Sequence, residues 1–129
     1  HPSGKNPRSV WSFPLQPFPG AHFATYPENL VRKCLTATAS EKGACAECSS
    51  PWVREVMLTA ETSGWRASCS CDAGEPVPCL VLDPFMGSGT TALVAKKMGH
   101  DFVGCELSEE YIKIADERLS VVMSQKRLF

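Results

Sequence analysis

Cys79-Leu80-Val81-Leu82-Asp83-Pro84-Phe85-Met86-Gly87-Ser88-Gly89-Thr90-Thr91-Ala92-Leu93-Val94-Ala95-Lys96-Lys97-Met98 is the stretch whose reading decides the fold. A short leucine- and valine-rich run leads into a turn packed with proline and glycine. A helix-forming segment follows, so the order is strand, glycine loop, helix. The pattern predicts a strand over 79–83 and a helix over 90–98. Glycines in such a loop let the backbone approach a ligand that a Cβ would exclude. A helix starting at Thr90 or Thr91 aims free N–H groups and the positive end of its dipole at whatever sits there. Asp83 ends the strand beside Gly87 and Gly89, where it either caps the next helix or meets a ligand.

The next segment narrows the ligand. Asp101-Phe102-Val103-Gly104-Cys105-Glu106 reads as a second strand, over 101–106, ending in a carboxylate. An acid about twenty residues past a glycine loop accepts hydrogen bonds from ribose hydroxyls in nucleoside-binding α/β folds. The dinucleotide fingerprint needs a third glycine where this chain has Ala92, and no Gly-Lys-Ser/Thr run marks a nucleoside-triphosphate loop. With Asp83 at its mouth, the loop suits a ligand carrying positive charge. S-adenosylmethionine, with sulfonium and ammonium groups, fits; a pyrophosphate does not.

Asp83-Pro84-Phe85-x-Gly87-x-Gly89-Thr90-Thr91 resembles the cofactor loop of amino-directed DNA methyltransferases, which methylate the exocyclic nitrogen of adenine or cytosine. Phe102-Val103-Gly104-Cys105-Glu106-Leu107-Ser108-x-x-Tyr111-Ile112 resembles that family's next strand and helix. His22-Phe23-Ala24-Thr25-Tyr26-Pro27-Glu28-Asn29-Leu30 is similar to the segment that closes over the cofactor's methionine end. Closing segment before glycine loop is the order of the permuted, beta-class subgroup, and Gly4 to Trp11 resembles the stretch preceding the closing segment there. The resemblance implies a partial Rossmann-like sheet of an S-adenosylmethionine-dependent methyltransferase. It implies a cofactor site built from His22, Phe23, Ala24, Thr25, Asp83, Pro84, Phe85, Gly87, Gly89, Thr90, Thr91, Glu106 and Leu107, a DNA substrate and a cytoplasmic enzyme.

The family's catalytic motif, Asp/Asn/Ser-Pro-Pro-Tyr/Phe, holds the target amine and stacks on the flipped-out base. No Pro-Pro pair occurs in the 129 residues, so no catalytic residue is assigned. In the permuted order that motif lies upstream. With His1 rather than Met at the start, the chain is expected to be the carboxy-terminal part of a longer enzyme, inactive alone, whose remaining chain is its partner. About three strands of that family's sheet are expected here.

Seven cysteines add a second theme. Cys45-x-x-Cys48 is followed by Cys69-x-Cys71, two close pairs whose separation suits tetrahedral zinc. Trp52 to Leu58 alternates like a strand, and Ser63-Gly64-Trp65 marks a return, so a zinc-closed hairpin is expected. The Cys-x-Cys spacing leaves Cys79 or Asp72 open as a substitute ligand, and four reduced thiols is the plainer alternative. Disulfides do not suit an intracellular enzyme. Cys34, Cys79 and Cys105 sit in apolar contexts and read as small core residues.

Three regions result: 1–38 as closing segment and helix, 39–75 as cysteine-rich insertion, 76–129 as glycine-loop half-domain. Residues 9–13 read as a possible strand. Pro27 opens a short helix ending near Leu35, and Ser108 N-caps a last helix whose face carries Tyr111, Ile114, Ala115, Arg118, Leu119 and Val122. A formal net charge of −1 announces no basic nucleic-acid surface, and no apolar run reaches membrane-spanning length. Two rival functions stay open: a non-catalytic zinc-bearing module binding DNA or a partner with a vestigial loop, and an RNA or small-molecule methyltransferase. An upstream Pro-Pro-Tyr-type motif separates them from the first reading.

Overall fold

The computed structural model describes residues 9–14, 25–59, 61–72 and 74–125. These fall into two compact units, one built from residues 13–14, 25–38 and 80–125 and the other from 9–12 and 39–79.

The first unit contains helix α1 (Glu28–Thr38), strand β3 (Leu80–Asp83), helix α2 (Thr90–Lys97), strand β4 (Asp101–Gly104) and helix α3 (Glu109–Gln125). β3 and β4 run parallel, with Leu80 opposite Asp101 and Asp83 opposite Gly104, and α2 makes the crossover. Strand side chains alternate between faces. Val81 and Phe102 therefore pack together onto a core of Val31, Leu35, Val94 and Ala95, joined by Met98. Val31 and Leu35 stand one helical turn apart, which is why α1 buries one stripe against α2. Lys97 Nζ bonds Glu28 Oε2 at 2.7 Å, fastening the start of α1 to the end of α2.

On α3, Ala115 and Leu119 are buried and Tyr111, Ile114, Arg118 and Val122 are partly buried, the face expected from their spacing. Ser108 precedes the helix and its Oγ accepts the Tyr111 N–H at 3.4 Å. The opposite face of the strand pair carries Leu80, Leu82 and Val103, exposed by 68, 65 and 47%. Parallel sheets are ordinarily covered on both faces. Among the described residues the parallel pairing stops at two strands, so a Rossmann-like sheet is not clearly formed.

The second unit is an antiparallel hairpin, β1 (Trp52–Val56) with β2 (Thr62–Ala67), in a register running from Trp52 opposite Ala67 to Val56 opposite Thr62. The chain reverses over 57–61, where the Met57 N–H bonds the Glu61 carbonyl. Ser63-Gly64-Trp65 thus lies within the returning strand rather than at the reversal. Ala44 bridges to both Pro51 and Val77, closing the base. Residues 9–14 contain no strand, contrary to the sequence expectation. Cys34 and Cys105 are exposed, not core: Cys34 lies on α1's solvent side and Cys105 follows the last paired residue of β4.

Candidate cofactor site and cysteine centre

The glycine loop is shaped by its own backbone. Asp83 ends β3, and its carbonyl accepts the Cys105 N–H at 2.9 Å while the Cys105 carbonyl accepts the Met86 N–H at 2.9 Å. The loop is therefore laced across the end of β4. Asp83 Oδ1 takes the Phe85 N–H at 3.1 Å, an aspartate turn that fixes the carboxylate at the loop's mouth. Gly89 adopts φ +77 as the residue capping α2, and a Cβ there would stand 2.8 Å from the Ala115 methyl. Glycine is required twice over, by conformation and by close approach. Gly87, at φ +54, faces open space.

Glu106 stands two residues beyond the end of β4, not on the strand. Its Oε2 accepts the Gly87 N–H at 2.8 Å, and Oε1 accepts the Leu107 and Ser108 N–H groups, each at 2.8 Å. One carboxylate thus ties the glycine loop to the start of α3. These N–H donors, Ser108's and Gly87's foremost, hold its pKa below the ordinary carboxylate value.

Beside this tie lies an open cleft of about 570 Å³ lined by Pro84, Phe85, Met86, Gly104, Cys105, Glu106, Leu107 and Ile112. Four of these (Pro84, Phe85, Glu106, Leu107) are sequence-predicted site residues. Phe85 and Leu107 are exposed by 86 and 101%, so they present apolar surface to solvent at the cleft. Gly104 leaves room for Met86, whose Sδ would come within 2.2 Å of a Cβ at that position.

The other predicted residues are placed differently. Thr90 is only 4% exposed and accepts an Arg118 N–H at 3.2 Å, so its side chain points inward. Thr91 Oγ1 lies 2.6 Å from the Tyr26 hydroxyl. Thr25 is exposed on the approach to α1. His22, Phe23 and Ala24 fall outside the described residues.

Two residues escaped the sequence reading. Arg118 Nη1 donates to the Ser88 carbonyl at 2.5 Å and to its Oγ at 3.0 Å, holding the loop from the α3 side. Tyr26 reaches Thr91 and Asp83 from the α1 side. The signal for Arg118 was a lone cation on an otherwise apolar helical face. Tyr26 lies in the segment that resembles the closing segment, but its partners, 57 and 65 residues away, had no signal.

In the hairpin unit, the Sγ atoms of Cys45, Cys48, Cys69 and Cys71 all lie within 4.8 Å of one another. A tetrahedral zinc with Zn–S bonds of about 2.3 Å has edges of roughly 3.8 Å, so a small contraction would close the set. Cys79 stays outside this group, its Sγ 3.6 Å from the Ser40 carbonyl, and so does Asp72. Ser50's hydroxyl and N–H draw the Cys48 thiol down to about 6, while Cys48 foremost pushes Cys71 up to about 12. Four crowded thiols cannot all ionise unless a cation balances them.

Strand, glycine loop, helix and parallel strand together form an α/β unit whose glycine loop is tied to a carboxylate. The comparisons with known proteins make it particular. Residues 69–117 match the DNA methylase family N6_N4_Mtase. The chain is 32% identical over 115 residues to the type II methyltransferase M.SmaI of Serratia marcescens, covering 89% of this chain and 27% of that protein. It is 34% identical over 115 residues to M.XycI of Xanthomonas campestris pv. cyanopsidis, covering 89% and 26%. The crystal structure of the M1.HpyAVI–SAM complex aligns with 31% identity over 53% of this chain and 42% of that one, with a TM-score of 0.32. Over most of its length this chain is similar to type II methyltransferases, and over residues 69–117 to the DNA methylase family. It spans about a quarter of the length of the curated relatives it matches.

Proposed function

We propose that this chain is the cofactor-binding, carboxy-terminal part of a beta-class DNA methyltransferase. The whole enzyme transfers a methyl group from S-adenosylmethionine to an adenine or cytosine exocyclic amine. The observation that carries this is the tie between Glu106 and the Gly87 N–H, which sets a carboxylate at the edge of an apolar cleft beneath a glycine loop. Three backbone donors use three of the roughly four lone-pair sites of Glu106, and the one left, on Oε2, is offered to a ribose hydroxyl. Phe85, Leu107 and Ile112 give the purine an apolar bed. Asp83, with Thr91 and the backbone of Gly89 and Thr90, meets the amino-acid end, and His22, Phe23, Ala24 and Thr25 close over it.

The cofactor supplies an activated methyl group, and the protein contributes position and electrostatic setting rather than a covalent intermediate. No Pro-Pro pair is present, so the groups that hold the target amine are assigned to chain outside these 129 residues. DNA and that further chain are the partners, in the cytoplasm and within a restriction–modification system. No described helix is long and apolar enough to cross a membrane.

The regions 1–38, 39–75 and 76–129 take the roles of closing segment, zinc lobe and cofactor half-domain. Cys45, Cys48, Cys69 and Cys71 hold a structural zinc; four thiolates leave no open position for a reactive water.

Glu106→Ala tests the reading by calorimetry with S-adenosylhomocysteine. Affinity should fall roughly tenfold or more, since the substitution removes both the ribose acceptor and the loop's tie. Unchanged affinity removes Glu106 from the site.

A further inference from the structure

We propose that Tyr26 is a positioning residue, whose hydroxyl presets the Asp83 carboxylate for the cationic ammonium end of the cofactor. The proposal rests on the cofactor reading above.

Three elements meet at this hydroxyl. Tyr26 precedes Pro27 and the first turn of α1, whose Val31 and Leu35 are seated on Val94 and Ala95 of α2. The Glu28–Lys97 bond fastens the same end of α1. The ring is thereby carried to the mouth of the glycine loop by packing independent of any ligand. There the Tyr26 oxygen lies 2.6 Å from Thr91 Oγ1, in the first turn of α2, and 3.4 Å from Asp83 Oδ2, at the end of β3.

A phenol has one proton, so the two contacts have to share it. The consistent arrangement is a relay: Thr91 donates to the Tyr26 oxygen, and Tyr26 donates to Asp83. Chains of this kind polarise one another and hold their members in one geometry. The other oxygen of Asp83 is bound by the Phe85 N–H at 3.1 Å. Each carboxylate oxygen therefore has one protein donor and one lone pair to spare. Two donors fix the plane of the carboxylate, and the spare lone pairs are what an ammonium group needs. Without the Tyr26 donor, the carboxylate would keep its aspartate turn but lose the restraint on Oδ2.

This role separates ligands that carry an ammonium group from those that do not. The test measures binding of two probes to wild-type, Tyr26→Phe and Thr91→Val forms of the chain. S-adenosylhomocysteine carries the amino-acid end; 5′-methylthioadenosine keeps the nucleoside thioether and lacks it. Tyr26→Phe preserves the ring and removes one hydroxyl. It should weaken S-adenosylhomocysteine about five- to tenfold, the scale of one ordinary hydrogen bond because the hydroxyl acts through Asp83, and leave methylthioadenosine unchanged. Thr91→Val should act in the same direction, since it removes the hydroxyl that bonds the Tyr26 oxygen. Equal weakening of both probes would show a merely structural residue and overturn the proposal, as would no change for either. Failure of the wild type to bind either probe would remove the cofactor reading, and this proposal with it.

Discussion

The two units of this chain are held together by different means. The glycine-loop unit buries Val31, Leu35, Ala92, Leu93, Val94, Ala95, Ala115 and Leu119, a real if modest hydrophobic core. The hairpin unit buries Ala44 and Cys45, and its strands leave Val56 exposed by 42%, followed by Met57 and Leu58 at 52 and 95% in the turn. A two-stranded hairpin with so little apolar burial is marginal in water by itself. The four thiols converge in this same unit. Packing organises one unit, and a metal cross-link is proposed to organise the other.

The largest expected effect breaks this contrast directly. Cys48→Ser, or removal of metal by a chelator, should abolish ordered structure over residues 40–75. Amide protection in α2 and α3 should be retained. Hydrogen exchange read by mass spectrometry checks both halves at once. Elemental analysis of carefully reduced protein should give about one zinc per chain. A hairpin that stays protected without metal would return the cysteines to ordinary thiols.

The next effect lies in the packed unit. Gly89→Ala forces a side chain into a left-handed backbone conformation and against Ala115. The expected cost is about 2–4 kcal/mol from the two sources together, seen in denaturant unfolding of this unit. Metal content should not change, which sharpens the distinction between the units.

Smaller again is a pH effect at Glu106. Its folded-state pKa is depressed by the N–H donors of Ser108, Gly87 and Leu107, so it lies below the unfolded value of about 4.3. The carboxylate's contribution is then fully present above about 4.3 and is lost as pH falls through the lower folded value. Thermal melting of the glycine-loop unit should decline over that acidic window, and Glu106→Gln should flatten the decline. An identical acid profile in the variant would detach Glu106 from the loop's stability.

Legibility in the sequence followed the range of the interactions. Strand, loop and helix over 79–98 were readable because apolar runs, glycines and helix formers act within a few residues. The α3 face was readable from its period, and the cysteine pairs from their spacing. Glu106 was placed on a strand that in fact ends at Gly104, because its hydrogen bonds to Gly87, Leu107 and Ser108 turn the chain there. Tyr26 and Arg118 were missed as site residues. Arg118 stood out on its helical face, but the partners of both are 28 to 65 residues away and are brought near only by the packing of α1 and α3. The expected strand at 9–13 failed because a short mixed run such as Ser9-Val10-Trp11-Ser12-Phe13 forms a strand only where a neighbour pairs with it.

Chemical-shift mapping of the zinc-loaded chain during titration with S-adenosylhomocysteine tests the central claim most directly. Shifts should concentrate on residues 83–91 and 104–112, and amides of the β1–β2 hairpin should stay where they were. Saturable shifts centred elsewhere, or none at ligand concentrations in the millimolar range expected for a weak site, would contradict the assignment of this loop as a cofactor site.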